Sequence, residues 1–111
     1  MPESRALRIF YDTIGSQATK KQYDYQLKLF QKHYKLRTIE SILSIEPKKL
    51  QTMIEDYVYE IKQKGLSKSY VNMAVCAIQG FTSMNDVILN FPKIKRLYRN
   101  PLSKLNFKLQ N

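Results

Sequence analysis

The sequence predicts an all-α fold, and three observations support that class. The chain of 111 residues contains only three glycines and four prolines, so few positions interrupt a helix. Its apolar side chains recur three and four residues apart, which is the spacing of one face of an α-helix. A hydrophobic fraction of 43% provides for a buried core and excludes a disordered basic tail. We therefore expect one domain built from long helices.

The N-terminal third is expected to hold a short element and then a long helix. Residues 1–15 carry an apolar cluster, which predicts a short helix or a packed arm. The first long helix is expected over about residues 16–34, with Ser16 or Thr19 capping its start. Its apolar stripe consists of Tyr23, Leu27, Phe30 and Tyr34.

A second long helix is expected after a short apolar segment at residues 39–43. Pro47 suits its first helical position, and Gly65 suits the left-handed residue that stops it. A third helix is expected to begin at Ser67 or Ser69 and to end at residues 85–86. Because its buried stripe is poor in bulky side chains, this helix can approach its neighbours closely.

The remaining segment is basic and again shows helical spacing. Pro92 opens the sequence KIKRLYR, in which Ile94, Leu97 and Tyr98 lie on one helical face. We therefore expect a helical domain over residues 16–99, and a basic tail or the start of a linker over residues 100–111.

The positive charge is concentrated in the C-terminal half of the chain. Residues 1–60 carry ten Lys or Arg against eight Asp or Glu, whereas residues 61–111 carry nine against one, Asp86. Together they give the net charge of +10. Such an asymmetry indicates a polyanionic partner, most often nucleic acid and less often an anionic membrane surface. Charge alone does not distinguish a DNA-binding from an RNA-binding protein, and it also fits a soluble basic protein that binds no polyanion.

Two helix starts have the chemistry of phosphate contacts. Lys20 and Lys21 lie in the first turn of a helix, where cations oppose the helix dipole unless a phosphate joins them. Ser67, Lys68 and Ser69 place hydroxyls and an ammonium group at the start of the next-but-one helix. The alternative is an ordinary glycine stop followed by a serine cap, with solvated lysines.

Two further groups of polar side chains are candidates for nucleic-acid contact. Asn72 and Gln79 avoid the apolar stripe of their helix, and such amides can read adenine edges in a major groove. The alternative is that they are polar side chains facing solvent. The basic cluster Lys93, Lys95, Arg96 and Arg99 has no acidic neighbour in sequence, so it predicts phosphate contacts or a flexible basic linker.

Catalysis, cofactors and metal sites find little support in the sequence. His33 is the only histidine and Cys76 the only cysteine, so no intrachain disulfide forms, and Cys76 is expected to be inert. No CxxC, HExxH, P-loop or GxGxxG spacing occurs. We expect no cofactor, no metal and no enzyme activity. The N-terminus lacks an apolar core followed by a small-residue cleavage site, and no apolar run approaches the length needed to span a bilayer. We therefore expect no signal peptide and no membrane partner, and we expect a cytoplasmic, nucleoid-associated protein.

The order of these elements resembles a known family. ATKKQYDYQLKLFQKHY, followed by LQTMIEDYVYEIKQKGLSKSYVNMAVCAIQGF, resembles the N-terminal SAM-like, core-binding domain of tyrosine recombinases (phage-type integrases). The later NDVILNFPKIKRL resembles the exit toward the catalytic domain, especially in archaeal members. The resemblance covers roughly residues 5–98. The matching positions are Thr19, Tyr23, Leu27, Phe30, Gly65, Leu66, Ser67, Ser69, Asn72, Ala77, Ile78 and Phe81.

The resemblance implies a compact orthogonal bundle of four to five helices that forms half of a clamp around duplex DNA. It implies phosphate contacts near Thr19, Lys20 and Lys21 and at residues 67–69, with the helix of Asn72 at or near the major groove. In the family the chemistry resides in a second domain with two Arg, a Lys, His residues and a nucleophilic Tyr. One histidine cannot supply that set, so we expect this chain to bind DNA without cutting it.

Three interpretations remain open at this level. The chain is a DNA-binding module that works with a catalytic recombinase domain in cis or with other recombinase protomers, or it is a stand-alone regulator without recombinase activity. Alternatively, it is a basic helical module that binds other proteins, and its charge serves solubility or an acidic partner. A third interpretation is recognition of RNA by shape, which favours A-form duplexes or loops.

Overall fold

Helices account for all the regular secondary structure of residues 4–99, the part of the chain that the computed structural model describes. The all-α prediction is confirmed. The predicted tail at residues 100–111 lies outside the described residues, as do residues 1–3 of the predicted arm. The elements are α1 (Arg5–Tyr11), α2 (Gln17–His33), a 3₁₀ helix (Ile39–Ser44), α3 (Pro47–Gln63), α4 (Lys68–Met84) and α5 (Phe91–Arg99).

Short polar residues begin most of these helices, and Ser4 caps α1 by accepting a hydrogen bond from the backbone N–H of Leu7. Ser16 caps α2, because its Oγ accepts a hydrogen bond from the backbone N–H of Thr19 at 3.3 Å. Ser67 caps α4 in the same way, with its Oγ 3.1 Å from the backbone nitrogen of Tyr70. The 3₁₀ helix begins with a reciprocal capping box between Thr38 and Ser41. Of the candidates predicted from the sequence, Ser16 and not Thr19 therefore caps α2, and Ser67 and not Ser69 caps α4.

The turn between α3 and α4 depends on Gly65. Its φ of 81° lies in the left-handed region, which a side chain disfavours. The backbone N–H of Gly65 donates to the carbonyl oxygen of Lys62 at 2.9 Å, which closes the end of α3. The chain can then reverse within a few residues and present Ser67–Ser69 at the start of α4.

The central element is α4, which packs against α1, α2, α3 and α5. Its buried side includes the small residues Ala74 and Ala77, and Gly80 is close to α1. A β-carbon on Gly80 would lie 2.5 Å from a ring carbon of Phe10. Close approach to α4 is therefore possible because it lacks bulk, as the sequence predicts.

A polar network holds α5 against α3. Gln51 pairs its amide with both backbone groups of Asn90, accepting from the N–H at 2.8 Å and donating to the carbonyl at 3.2 Å. Glu55 forms an ion pair with Lys93 at 3.0 Å. The Lys62 ammonium donates to the carbonyl oxygen of Leu97 at 2.6 Å. Three contacts along one seam thus fix the position of α5.

None of the helices within residues 4–99 is long and apolar enough to cross a membrane.

Candidate nucleic-acid interface

One side of α4 remains open between the start of α2 and the end of α5. Ser69, Asn72, Cys76 and Gln79 lie on this side, which we call the α4 face, and each is exposed or half-buried. They are three, four and three residues apart, so they form one stripe on a helix with about 3.6 residues per turn. The opposite side of α4 is buried through Val71, Ala74, Val75 and Ile78.

A cleft of about 430 Å³, lined by both polar and apolar side chains, lies at one end of the α4 face. Its walls include Ser16 and Thr19 from the start of α2 and Gln79 from α4. Aromatic rings of Phe10 and Tyr23 line the same cleft and stack with their centroids 5.9 Å apart. The structure therefore brings two of the predicted contact residues, Thr19 and Gln79, to one site.

A second cleft, of about 260 Å³, lies at the other end of the α4 face. Lys68, Ser69 and Asn72 come from the first turns of α4, and Arg99 comes from the end of α5. Arg99 also lines a neighbouring cleft with Pro92, Lys95 and Arg96. Six of the predicted contact residues thus line the two clefts at the junction of α4 and α5. A seventh, Ser67, caps α4 and directly precedes Lys68.

A partly buried hydrogen bond ties the α4 face to α5. The hydroxyl of Tyr98 donates to Oδ1 of Asn72 at 2.9 Å, and the ring is 7% exposed. Burial, with a smaller contribution from nearby Cys76, raises the pKa of Tyr98 above its usual range, while Arg99 opposes the shift. The same two causes, burial first and then Cys76, raise the pKa of Tyr23 in the first cleft. Cys76 itself lines the first cleft together with Tyr23.

The two lysines at the start of α2 differ in their surroundings. The ammonium of Lys20 lies 5.1 Å from the ring centroid of Tyr11, a cation–π contact that offsets its unfavourable position in the helix dipole. Lys21 is exposed and, two residues beyond Thr19, is rotated about 200° away from the first cleft. The predicted phosphate contacts at this helix start therefore do not converge on one point.

The basic cluster of α5 divides in a similar way. Lys93 is 3.0 Å from a carboxylate oxygen of Glu55, which comes from α3 and was not foreseen as its neighbour. The hydrogen bond from Gln51 is the main reason why the pKa of Glu55 is lowered, and Lys93 adds to the effect. Lys93 thus faces α3, whereas Lys95, Arg96 and Arg99 surround the separate cleft at the end of α5.

Neither of the two clefts beside the α4 face is lined by an Asp or Glu. Neither α4 nor α5 contains an Asp or Glu, and the acids of α3 are Glu55, Asp56 and Glu60. His33 places Nε2 3.2 Å from a carboxylate oxygen of Glu60, so the lone histidine belongs to the α2–α3 side. The positive charge of the second cleft thus comes from Lys68 and Arg99, with no carboxylate in its lining.

Sequence reasoning missed Tyr98 as a participant. Its spacing from Ile94 marks it only as a buried position on α5. The hydroxyl contact with Asn72 joins residues 26 positions apart, and periodicity within one helix carries no such information. A buried tyrosine hydroxyl usually has a polar partner, which is the only signal that the sequence offered.

No family model, no curated protein and no solved structure matches this chain. The candidate interface is therefore defined by the positions and chemistry of its own residues.

Proposed function

We propose that this chain binds duplex DNA through the α4 face and does not cut it. The observation that carries the proposal is the arrangement of this face. A half-exposed helix side without acids runs between two clefts lined by hydroxyl, amide and cationic donors. Phosphate oxygens and base edges are rich in acceptors, so a surface of this kind suits a nucleic acid.

The dimensions of the α4 face agree with the major groove. Ser69 and Gln79 are separated along α4 by about 15 Å, from a rise of about 1.5 Å per residue. The major groove of B-DNA is about 12 Å wide and admits an α-helix. Donors at the two ends of the face are thus far enough apart to reach phosphates on both sides of the groove, and Asn72 lies between those ends.

Within this proposal the chain is the core-binding module of a tyrosine recombinase. Support comes from the resemblance of residues 5–98 to that domain and from the location of the resembling residues Thr19, Ser69 and Asn72 at the two clefts. Strand cleavage would be supplied by a catalytic domain in cis or by other protomers. Association with the nucleoid follows from DNA binding.

Charge reversal at matched positions tests the interface. Lys68→Glu and Arg99→Glu place a negative charge in the second cleft, whereas Lys48→Glu makes the same change in a different cleft beside Ile88. Measured by fluorescence anisotropy, the first two variants should each weaken duplex binding by about tenfold and lower the slope of log K against log salt by about one. Equal losses in all three variants would show that overall charge, and not the α4 face, drives binding.

A second candidate function is binding to another protein. Several large apolar side chains of the described residues are exposed, and the three most exposed are Tyr25 at 55%, Tyr59 at 62% and Ile88 at 88%. Aromatic and aliphatic side chains of this kind anchor protein interfaces. A protein partner would bind with a shallow salt dependence and would lose affinity on Ile88→Asp, whereas duplex binding would be unchanged by that substitution.

A further inference from the structure

The amide of Asn72 is held in one orientation by a residue of another helix. Tyr98 donates its hydroxyl proton to Oδ1 of Asn72 at 2.9 Å. Within the described part of the chain, Nδ2 of Asn72 donates to no protein acceptor. Its NH₂ group is left for the second cleft, where Lys68, Ser69 and Arg99 also present donors.

The phenol is well placed to maintain this orientation. The ring of Tyr98 is 7% exposed, and α5, which carries it, is fixed to α3 at Leu97 and Asn90. Because the pKa of Tyr98 is raised by burial, the hydroxyl keeps its proton and remains a donor throughout the physiological range. A free asparagine side chain would sample both amide orientations, whereas this one is restrained before any ligand binds.

We infer that Tyr98 is a positioning residue that orients Asn72 to contact DNA through its NH₂ group. The inference rests on the proposed function. Bidentate pairing with adenine needs both the oxygen and the nitrogen of an asparagine amide, and here Tyr98 takes one of the two lone pairs of the oxygen and holds the oxygen toward α5. Asn72 therefore donates to an acceptor, which is either a phosphate oxygen or an acceptor on a base edge, such as a purine N7, guanine O6 or thymine O4. This replaces the expected two-bond pairing with adenine by a single donated hydrogen bond.

A pair of tyrosine-to-phenylalanine variants isolates the effect. Tyr98→Phe removes the hydroxyl that holds Asn72, and Tyr34→Phe removes a hydroxyl that donates to the carbonyl oxygen of Met53 at 2.7 Å. Both changes delete one partly buried hydrogen bond. Duplex affinity should fall by about threefold to tenfold in Tyr98→Phe, as expected for one neutral hydrogen bond, and stay unchanged in Tyr34→Phe.

A double-mutant cycle distinguishes positioning from a merely structural role. In an Asn72→Ala background, Tyr98→Phe should have no further effect on duplex affinity, because there is no amide left to orient. Selection from a randomised duplex library identifies the acceptor. Relaxed preference at one base pair in Asn72→Ala would assign a base edge, and a uniform loss across sequences would assign a phosphate. Losses that multiply independently in the cycle would overturn the inference.

A measurement without DNA keeps the inference separate from the proposed function. In ¹⁵N-edited NMR spectra, Tyr98→Phe should shift the side-chain NH₂ signals of Asn72 and leave those of Gln79 in place. Unchanged Asn72 signals would refute the positioning role even if the wild type binds DNA. Shifted signals in a protein that binds no duplex would instead uphold the Tyr98–Asn72 contact and refute the DNA-binding function that the inference rests on.

Discussion

Replacing Gly80 with alanine tests the close contact between α1 and α4 that forms one wall of the first cleft. The added β-carbon would lie 2.5 Å from Cε1 of Phe10 and 3.4 Å from Cδ1 and Cζ. Ordinary contacts begin near 3.4 Å, so the ring would have to move by about 1 Å. It has little room, because Phe10 is 1% exposed and packs against the rings of Tyr11, Tyr23 and Phe81.

Two opposing effects set the size of the change in stability. Overpacking a core costs roughly 1–3 kcal/mol. Alanine has a better helix propensity than glycine by about 1 kcal/mol, which offsets part of that cost. We therefore expect Gly80→Ala to lower the free energy of unfolding by about 1 kcal/mol, which corresponds to a melting temperature lower by about 4–8 °C.

Urea denaturation followed by circular dichroism measures this change, with α3 as the calibration. Asp56 is exposed in the middle of α3, so Asp56→Ala should be more stable than Asp56→Gly by about 1 kcal/mol. Alanine should thus be the more stable choice over glycine at position 56 and the less stable choice at position 80. If Gly80→Ala were as stabilising as the alanine variant is at position 56, Phe10 would not lie against Gly80 and the first cleft would have a different shape.

Three other predictions follow from the local chemistry. Gly65→Ala should cost about 1–2 kcal/mol in urea denaturation because of the left-handed backbone, and Gly65→Asn should cost less. Burial, the largest cause in each case, raises the pKa of Tyr34 and of Tyr57 to about 12. In the unfolded chain the same phenols ionise at a lower pH, so the free energy of unfolding should fall as the pH rises from 10 toward 12. Absorbance of phenolate during an alkaline titration checks this, and midpoints near 10 for both would contradict it. The pKa of Glu55 is lowered, mainly by the hydrogen bond from Gln51. The ionised carboxylate therefore adds to the free energy of unfolding above the ordinary carboxyl pKa, and this stabilisation is lost as the pH falls. In Glu55→Gln, the free energy of unfolding measured by denaturation should fall less steeply as the solution is acidified.

The sequence predicted the helices well because their determinants are local. Apolar spacing, Ser67 and Gly65 act within a few residues of the elements they define, and the observed bounds of α2, α3 and α4 agree with the expected ones to within a few residues. The short apolar segment at residues 39–43 was predicted without a defined conformation and forms a 3₁₀ helix. Its capping box between Thr38 and Ser41 was a readable signal.

The candidate interface was predicted only in part, because its details depend on contacts between helices. Thr19 and Gln79 meet at one cleft although 60 positions separate them, and only the packing of α2 on α4 brings them together. Lys93 faces Glu55 because α5 packs on α3, a pairing that charge counting along the chain cannot reveal. The restraint of Asn72 by Tyr98 has the same origin.

The salt dependence of duplex binding tests the central claim most directly. Fluorescence anisotropy of a labelled random duplex, titrated with this protein at several salt concentrations, gives the affinity and its slope. About four phosphate contacts would give a slope of log K against log salt near −4, with affinities on the order of micromolar at low salt. No binding at low salt, or binding with a slope near zero, would contradict recognition of DNA through the α4 face.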